Sequence, residues 1–395
     1  MGVSANDETL TGFQPQSDAS SRAGRVNSLD IVRGIIMILM AVDHVRVYAG
    51  VPAGGSTPGV FFTRWITHFS APGFAFLAGT GAFLYGRRLA TSGALSRFLL
   101  VRGIMLVLLE LTVIRLAWTF NTDFAHYNLA GVIWMLGWCM ILMAALVHLP
   151  MTAIGVIGAL IVLGQPVFDP IARTLPGPIG SFLYLGGVTQ IAGLPIGVLY
   201  VIVPWIGVMA MGYWFGTVIT LEPEARRRRC FRMGLGATAA FLLIATGLAV
   251  LGPHGDNGPP LFVRILNQRK YPASPLFLLM TLGPIIAFIP LAERMKGAVS
   301  DFVATFGRVP LFYYLLHIPL IHALAIVVSL IREGAVNPWL FGNHPFDPPP
   351  VPPGYRWSLG LLYLVFAAAI AILYLPCRWY AMRKGTAPAP WMKYL

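Results

Sequence analysis

The chain is poor in charge, in acid and in cysteine. Charged residues make up 11% of its 395 positions, against 57% hydrophobic, where a soluble domain carries about 25% charged. That scarcity excludes a soluble globular domain. It leaves an all-α, polytopic integral membrane helix bundle, read here as a single domain. Acids number 15 against 28 basic residues, a formal net charge of +13. In so apolar a chain the surplus reads as basic loops facing an anionic membrane leaflet, not as a nucleic-acid surface. Cys139, Cys230 and Cys377 stand far apart. They have neither metal-ligand nor redox-pair spacing, so they read as packing residues. There is no Gly-x-Ser-x-Gly elbow, Walker loop, dinucleotide fingerprint or His-Glu-x-x-His. No His or acid spacing matches a familiar zinc site, so no metal is expected. Residues 1–27 are polar and lack an apolar core, which predicts a disordered cytoplasmic tail, neither a signal peptide nor a bundle helix.

What is present is a series of apolar runs of about 20 residues. They fall at 30–49, 63–85, 97–119, 129–149, 151–169, 196–220, 230–251, 273–292, 303–331 and 357–379, which predicts about ten transmembrane helices. The membrane domain is expected over 28–384, with a cytoplasmic tail at 385–395. Residues 170–195, rich in Gly and Pro, read as a loop or re-entrant segment. Residues 333–356 are dense in proline and cannot be helical; they read as a lid or a stiff link. Arginine and lysine set the orientation. With the N-terminus inside, the inner segments hold Arg87, Arg88, Arg97, the run Arg226 to Arg229, Arg294, Lys296, Arg383 and Lys384. The outer ones hold fewer, among them Arg64, Arg173, Arg264, Arg269, Lys270, Arg332 and Arg356. Both termini are therefore expected in the cytoplasm, in a membrane such as the bacterial inner membrane.

Ionisable groups inside these runs need a reason, since each costs roughly 3 kcal/mol or more in hydrocarbon. The first run begins Ser28-Leu29-Asp30-Ile31-Val32-Arg33-Gly34 and ends on Asp43-His44. Eleven steps at about 100° each return His44 to within roughly 20° of the Arg33 face, ~16 Å further on. Asp30 lies near the same stripe. Asp43 and His44 are adjacent, which predicts different faces, and Asp43 can pair with Arg46 one turn on. At overlapping depth stand His68 in the second run, Glu110 and Arg115 in the third, and His317 and His322 in the ninth. Glu110 and Arg115 are five apart, roughly 140° around the helix, and so are not natural partners. A neutral histidine is the usual general base for a hydroxyl or amine, and a nearby carboxylate would orient it. The residues alone point to a buried proton-handling site in the outer half of the bundle. Intramembrane His, Glu and Arg also serve proton-coupled transporters, and a lipid- or glycan-handling protein without group transfer stays open on the same grounds.

The block Arg25-Val26-Asn27-Ser28-Leu29-Asp30-Ile31-Val32-Arg33-Gly34 resembles the start of the heparan-alpha-glucosaminide N-acetyltransferase catalytic domain family, within the broader transmembrane acyltransferases. His68-Phe69-Ser70-Ala71-Pro72-Gly73-Phe74-Ala75-Phe76-Leu77-Ala78-Gly79-Thr80 resembles the second helix of the same group. Pro204-Trp205-Ile206-Gly207 and Phe306-Gly307-Arg308-Val309-Pro310-Leu311-Phe312 resemble later blocks. The resemblance implies transfer of an acetyl group from cytoplasmic acetyl-CoA to an amine or hydroxyl of a sugar or glycoconjugate across the membrane. It implies His44 as the catalytic histidine and Arg33 near the donor entrance. On that basis Asp43, His68 and Glu110 are expected to tune His44. Arg115, His317, His322 and Lys270 are expected to bind substrate, and Arg87, Arg88, Arg226 and Arg227 the donor's phosphates. A homodimer is compatible with the chain.

Overall fold

The computed structural model describes residues 27–54, 57–252, 259–386 and 389–394. The expected N-terminal tail lies outside these residues except for Asn27, which begins the first helix.

Asn27–Tyr48 (α1) is followed by Pro58–Trp65 (α2), which passes through a 3-10 turn at Ile66–Phe69 into Ser70–Gly86 (α3). Ser92–Leu109 (α4) continues through a π-helical turn at Glu110–Ile114 into Arg115–Thr119 (α5). Val132–Leu146 (α6), Met151–Leu163 (α7), Gln165–Thr174 (α8) and the single turn Gly177–Gly180 (α9) come next. Then follow Trp205–Ile219 (α10), Pro223–Leu251 (α11), Leu261–Leu266 (α12), Pro275–Ala292 (α13), Ala298–Arg308 (α14), Pro310–Glu333 (α15) and Leu359–Thr386 (α16). Helix accounts for 74% of the structure.

Every apolar run holds a helix, but among the described residues length and apolar composition qualify four of them to cross a membrane: α11, α13, α15 and α16. A fifth is added if α7 and α8, which meet at 73°, form one broken span or a re-entrant loop. The ninth run is two helices. Pro310 crowds the backbone before it, and Val309 leaves the helical region at φ −131°, ψ 51°. The all-α expectation also misses a small sheet. Leu129–Ala130 (β1) pairs in parallel with Leu194–Val198 (β3), which pairs antiparallel with Gly187–Ile191 (β2). The β2–β3 turn places Ala192 and Gly193 at positive φ, 51° and 80°, the twist that a two-residue hairpin favours. The sheet occupies part of the segment read as loop, because a hairpin satisfies its backbone groups locally.

The bundle packs around α1, which is apolar on nearly all sides and lies against α3, α13, α14, α15 and α16. Two crossings depend on absent side chains. A β-carbon on Gly34 would strike the Val303 carbonyl, and one on Gly307 the Asp30 carbonyl, so α1 and α14 touch backbone to backbone. Gly79 of α3 and Gly212 of α10 do the same. Small residues allow such approach where lipid supplies no hydrophobic drive. Outward faces stay apolar: on α11, Leu243 is 75% and Leu251 87% exposed.

The proline-rich segment between α15 and α16 lies as a strap across the end of α1. The last turn of a helix leaves carbonyls without partners. Here Asn343 Nδ2 donates to Val47 O (3.0 Å), Tyr355 Oη to Tyr48 O (2.9 Å) and Arg356 Nε to Gly50 O (3.2 Å), while the Trp357 amide donates to Ala49 O (3.0 Å).

Candidate active site

Beneath the strap, where α1 ends, lies a cavity of about 170 Å³. Asp43, His44, Arg64, Glu110, Lys270 and Tyr200 are among its lining residues. Elements far apart in sequence bring them there: α1, α2, the π-helical turn after α4, and the loops before α10 and α13. Asp43 and His44 both reach it, against the expectation of different faces, because the cavity wraps around the last turns of α1.

His44 Nδ1 lies 2.6 Å from His317 Nε2, and the rings are close to parallel, 4.7 Å apart with planes 26° off. His317 Nδ1 in turn lies 2.7 Å from the Tyr314 carbonyl. A carbonyl only accepts, so Nδ1 of His317 carries the hydrogen and its Nε2 is a bare acceptor. His44 must then donate from Nδ1, and its lone pair sits on Nε2. That nitrogen has no partner among the described residues, and the His44 ring lines the cavity. Trp118 meets the same ring edge to face at 5.0 Å. His317 itself does not line the cavity; it stands behind His44, in α15.

Asp43 does not orient His44. Its carboxylate accepts from Arg46 Nε at 2.8 Å and from Arg64 Nη1 at 3.2 Å, and Arg64 also donates to Thr67 Oγ1 at 3.0 Å. The acid ties α1 to α2 and forms part of the cavity wall. Glu110 reaches the cavity from the π-helical turn after α4. Its Oε2 accepts the Ile133 and Trp134 amides at 3.0 and 3.1 Å, which places a carboxylate at the positive N-terminus of α6. Gly131 makes room, since a β-carbon there would collide with Glu110 Oε1. That Oε1 is buried without a partner among the described residues.

Lys270 is buried, with its Nζ 5.6 Å from the Tyr200 ring centre and 5.2 Å from that of Tyr271. No acid stands within ion-pair distance of it among the described residues. Burial draws its ammonium below the ordinary lysine range.

The other candidates stand elsewhere. His68 is in the 3-10 turn, its ring on Phe277 at 5.4 Å, while its neighbours Thr67 and Ser70 face the cavity instead. His322 donates to Ala117 O at 3.2 Å and is stacked between Phe120 and Tyr48. Arg115 pins the loop after α5. Its guanidinium donates to Tyr127 O (3.0 Å), Thr119 Oγ1 (2.9 Å), Asn121 Oδ1 (3.0 Å) and the Asn121 and Asp123 carbonyls, so it reaches no ligand in the cavity. At the far end of α1, Arg33 Nη1 reaches Asp30 (3.4 Å) and the Gly307 carbonyl (3.3 Å). Arg226 and Arg227 share Glu293, at 2.6 and 3.0 Å, while Arg87 and Arg88 are exposed. Sequence reasoning gave no role to Arg64 or to the Tyr200–Tyr271 wall. Arg64 counted there only as an outer charge, and the tyrosines come from loops some 70 positions apart (Oη to Oη, 3.4 Å).

The family model for the catalytic part of heparan-alpha-glucosaminide N-acetyltransferase matches residues 25–254, more than half of the chain. The match takes in Asp43, His44, Arg64 and Glu110; Lys270, His317 and the strap lie beyond it. No curated protein matches the chain.

Proposed function

The chain belongs to the heparan-alpha-glucosaminide N-acetyltransferase catalytic family, and from that premise we propose that this membrane acetyltransferase moves acetyl from acetyl-CoA to an amine or hydroxyl of a sugar-containing acceptor held in the cavity beside His44. The observation that carries the proposal is the relay from the Tyr314 carbonyl through His317 to His44. It leaves His44 Nε2 as a base at the cavity surface, with no carboxylate needed to fix its tautomer.

In the proposed reaction His44 Nε2 takes the proton of the acceptor's N–H or O–H as that atom bonds to the acetyl carbon. As the carbon–sulfur bond breaks, the proton leaves with the thiol. His317 accepts from His44 Nδ1 throughout and holds the ring in place. Glu110, fixed by two amides but with one oxygen free, orients the acceptor. Acetyl-CoA supplies the activated acetyl group. Its phosphates are assigned to the exposed Arg87 and Arg88 at the Arg33 end of the bundle, which has no acid in ion-pair distance of that pair among the described residues. Arg226 and Arg227 are a weaker choice because Glu293 offsets one of their charges. The same reading takes the Arg33 end as cytoplasmic, the His44 end as the far side, and the ten apolar runs as crossings or partial crossings.

Two measurements on purified protein test this. Acetyl-CoA should raise the melting temperature, since a ligand that binds only the folded state stabilises it. His44→Ala should keep that stabilisation and lower transfer by about 10²–10⁴-fold, the usual contribution of a general base. Transfer by His44→Ala at the wild-type rate, or no stabilisation of the wild type by acetyl-CoA, would overturn the assignment.

A further inference from the structure

A second cavity of about 180 Å³ adjoins the first, and Leu199, Lys270 and Tyr271 line both. Its chemistry is different. The rest of its wall is made by glycines and by apolar side chains such as Leu185, Val201, Trp205 and Phe346. Among the described residues that line it, Lys270 is the one charged group, and only the edges of Tyr271 and Trp205 add further polar side-chain atoms. That is too little to satisfy the hydroxyls of a second sugar ring, each of which costs free energy if buried unpaired. An apolar group fits the wall, and an anion fits the partition. Lys270 has no acid partner among the described residues, whereas the first cavity's two arginines are already on Asp43. The rim is also apolar on the outside: in the β2–β3 hairpin Val188 is 63% exposed and Ile191 and Leu194 44% each. Exposed apolar surface next to an apolar cavity is a surface for lipid or for a ligand resident in lipid.

We propose that the acceptor is itself membrane-borne, a sugar joined through a phosphate to a lipid chain. Its sugar occupies the cavity at His44, its phosphate meets Lys270, and the first carbons of its chain fill the second cavity before running out over the hairpin. This rests on the acetyltransferase reading and names the class of acceptor. The partition residue Lys270 thereby becomes the specificity determinant.

The test uses binding, so it does not require the sugar to be known. The full-length protein in nanodiscs is titrated with inorganic phosphate, with geraniol and with geranyl phosphate, following thermal stabilisation. Geranyl phosphate should bind at least about tenfold more tightly than either fragment, the size of one charge-assisted hydrogen bond. Lys270→Gln should reduce it to the level of geraniol. Leu185→Trp, which fills the second cavity from a half-exposed position, should reduce it to the level of phosphate. Equal binding of geraniol and geranyl phosphate would overturn the proposal, as would geranyl phosphate binding that survives both substitutions, the mark of simple insertion into lipid. Acetyl-CoA stabilisation measured on the same preparation reports separately on the acetyltransferase reading. If it persists while geranyl phosphate fails, only the acceptor class is wrong; if it is absent, both fall.

Discussion

His317 hands its own ring hydrogen to the Tyr314 carbonyl and accepts one from His44, so its effect on the reaction runs through another residue. It is a positioning residue, and its replacement should be graded. His317→Ala should lower kcat by about 10–100-fold, within the range found for partners that orient a functional histidine. His317→Gln should recover part of the loss, because its side-chain carbonyl can accept from His44 Nδ1. A merely structural role would give equal losses, tracking melting temperature, in both variants. A second residue, His344 in the strap, lies face to face with Tyr127, ring centres 3.7 Å apart. Burial holds its imidazole down at about 4, against 6.5 unperturbed. The unfolded chain therefore binds a proton between pH 6.5 and 4 that the folded chain refuses. Its contribution to stability is complete above 6.5 and is lost as pH falls through that window, at no more than about 1.4 kcal/mol per pH unit. His344→Gln should flatten that part of the melting-temperature profile in acid, relative to wild type.

Among the elements, α1 and α14 illustrate how a motif can be visible before its meaning is. Gly34 closes the block that opens the first apolar run, and Gly307 sits in a later block 273 positions on. Each is glycine because the other helix's backbone occupies the space of its β-carbon. Gly307→Leu should destabilise the protein by about 1–3 kcal/mol or more, the cost of overpacking, read as a lower melting temperature with loss of acetyl-CoA stabilisation. A surface change such as Leu243→Ala on α11 should do neither. The strap and the hairpin are the elements that periodicity could not supply. Their positions depend on the orphan carbonyls at the end of α1 and on pairing between β1 and β3 across some 65 residues, and neither leaves a local pattern.

At the scale of the whole molecule the open quantity is direction across the membrane. The three native cysteines are buried, so single cysteines can be introduced and labelled. A thiol at His126, whose side chain is exposed in the loop after α5 at the His44 end, should react with a membrane-impermeant maleimide added outside intact cells. A thiol at Arg228, on the exposed face of α11's first turns, should react only after permeabilisation. The reverse pattern would invert the proposed donor and acceptor sides. The sequence by itself determined the helical, membrane-embedded class, because scarcity of charge and runs of apolar residues are properties of composition and local order. It also determined the family, through the block around Arg33 and the spacing to His44, and it named His44, Glu110 and His317 as residues that apolar surroundings do not tolerate without cause. Only the tertiary structure decided which of those residues meet. His317 proved to stand behind His44 and Asp43 to hold two arginines, while Arg115 and His322 serve loops and helix contacts. The reason is physical: a residue's cost in lipid is legible one position at a time, but the partner that offsets it comes from a helix hundreds of positions away, chosen by packing that no single stretch of sequence records.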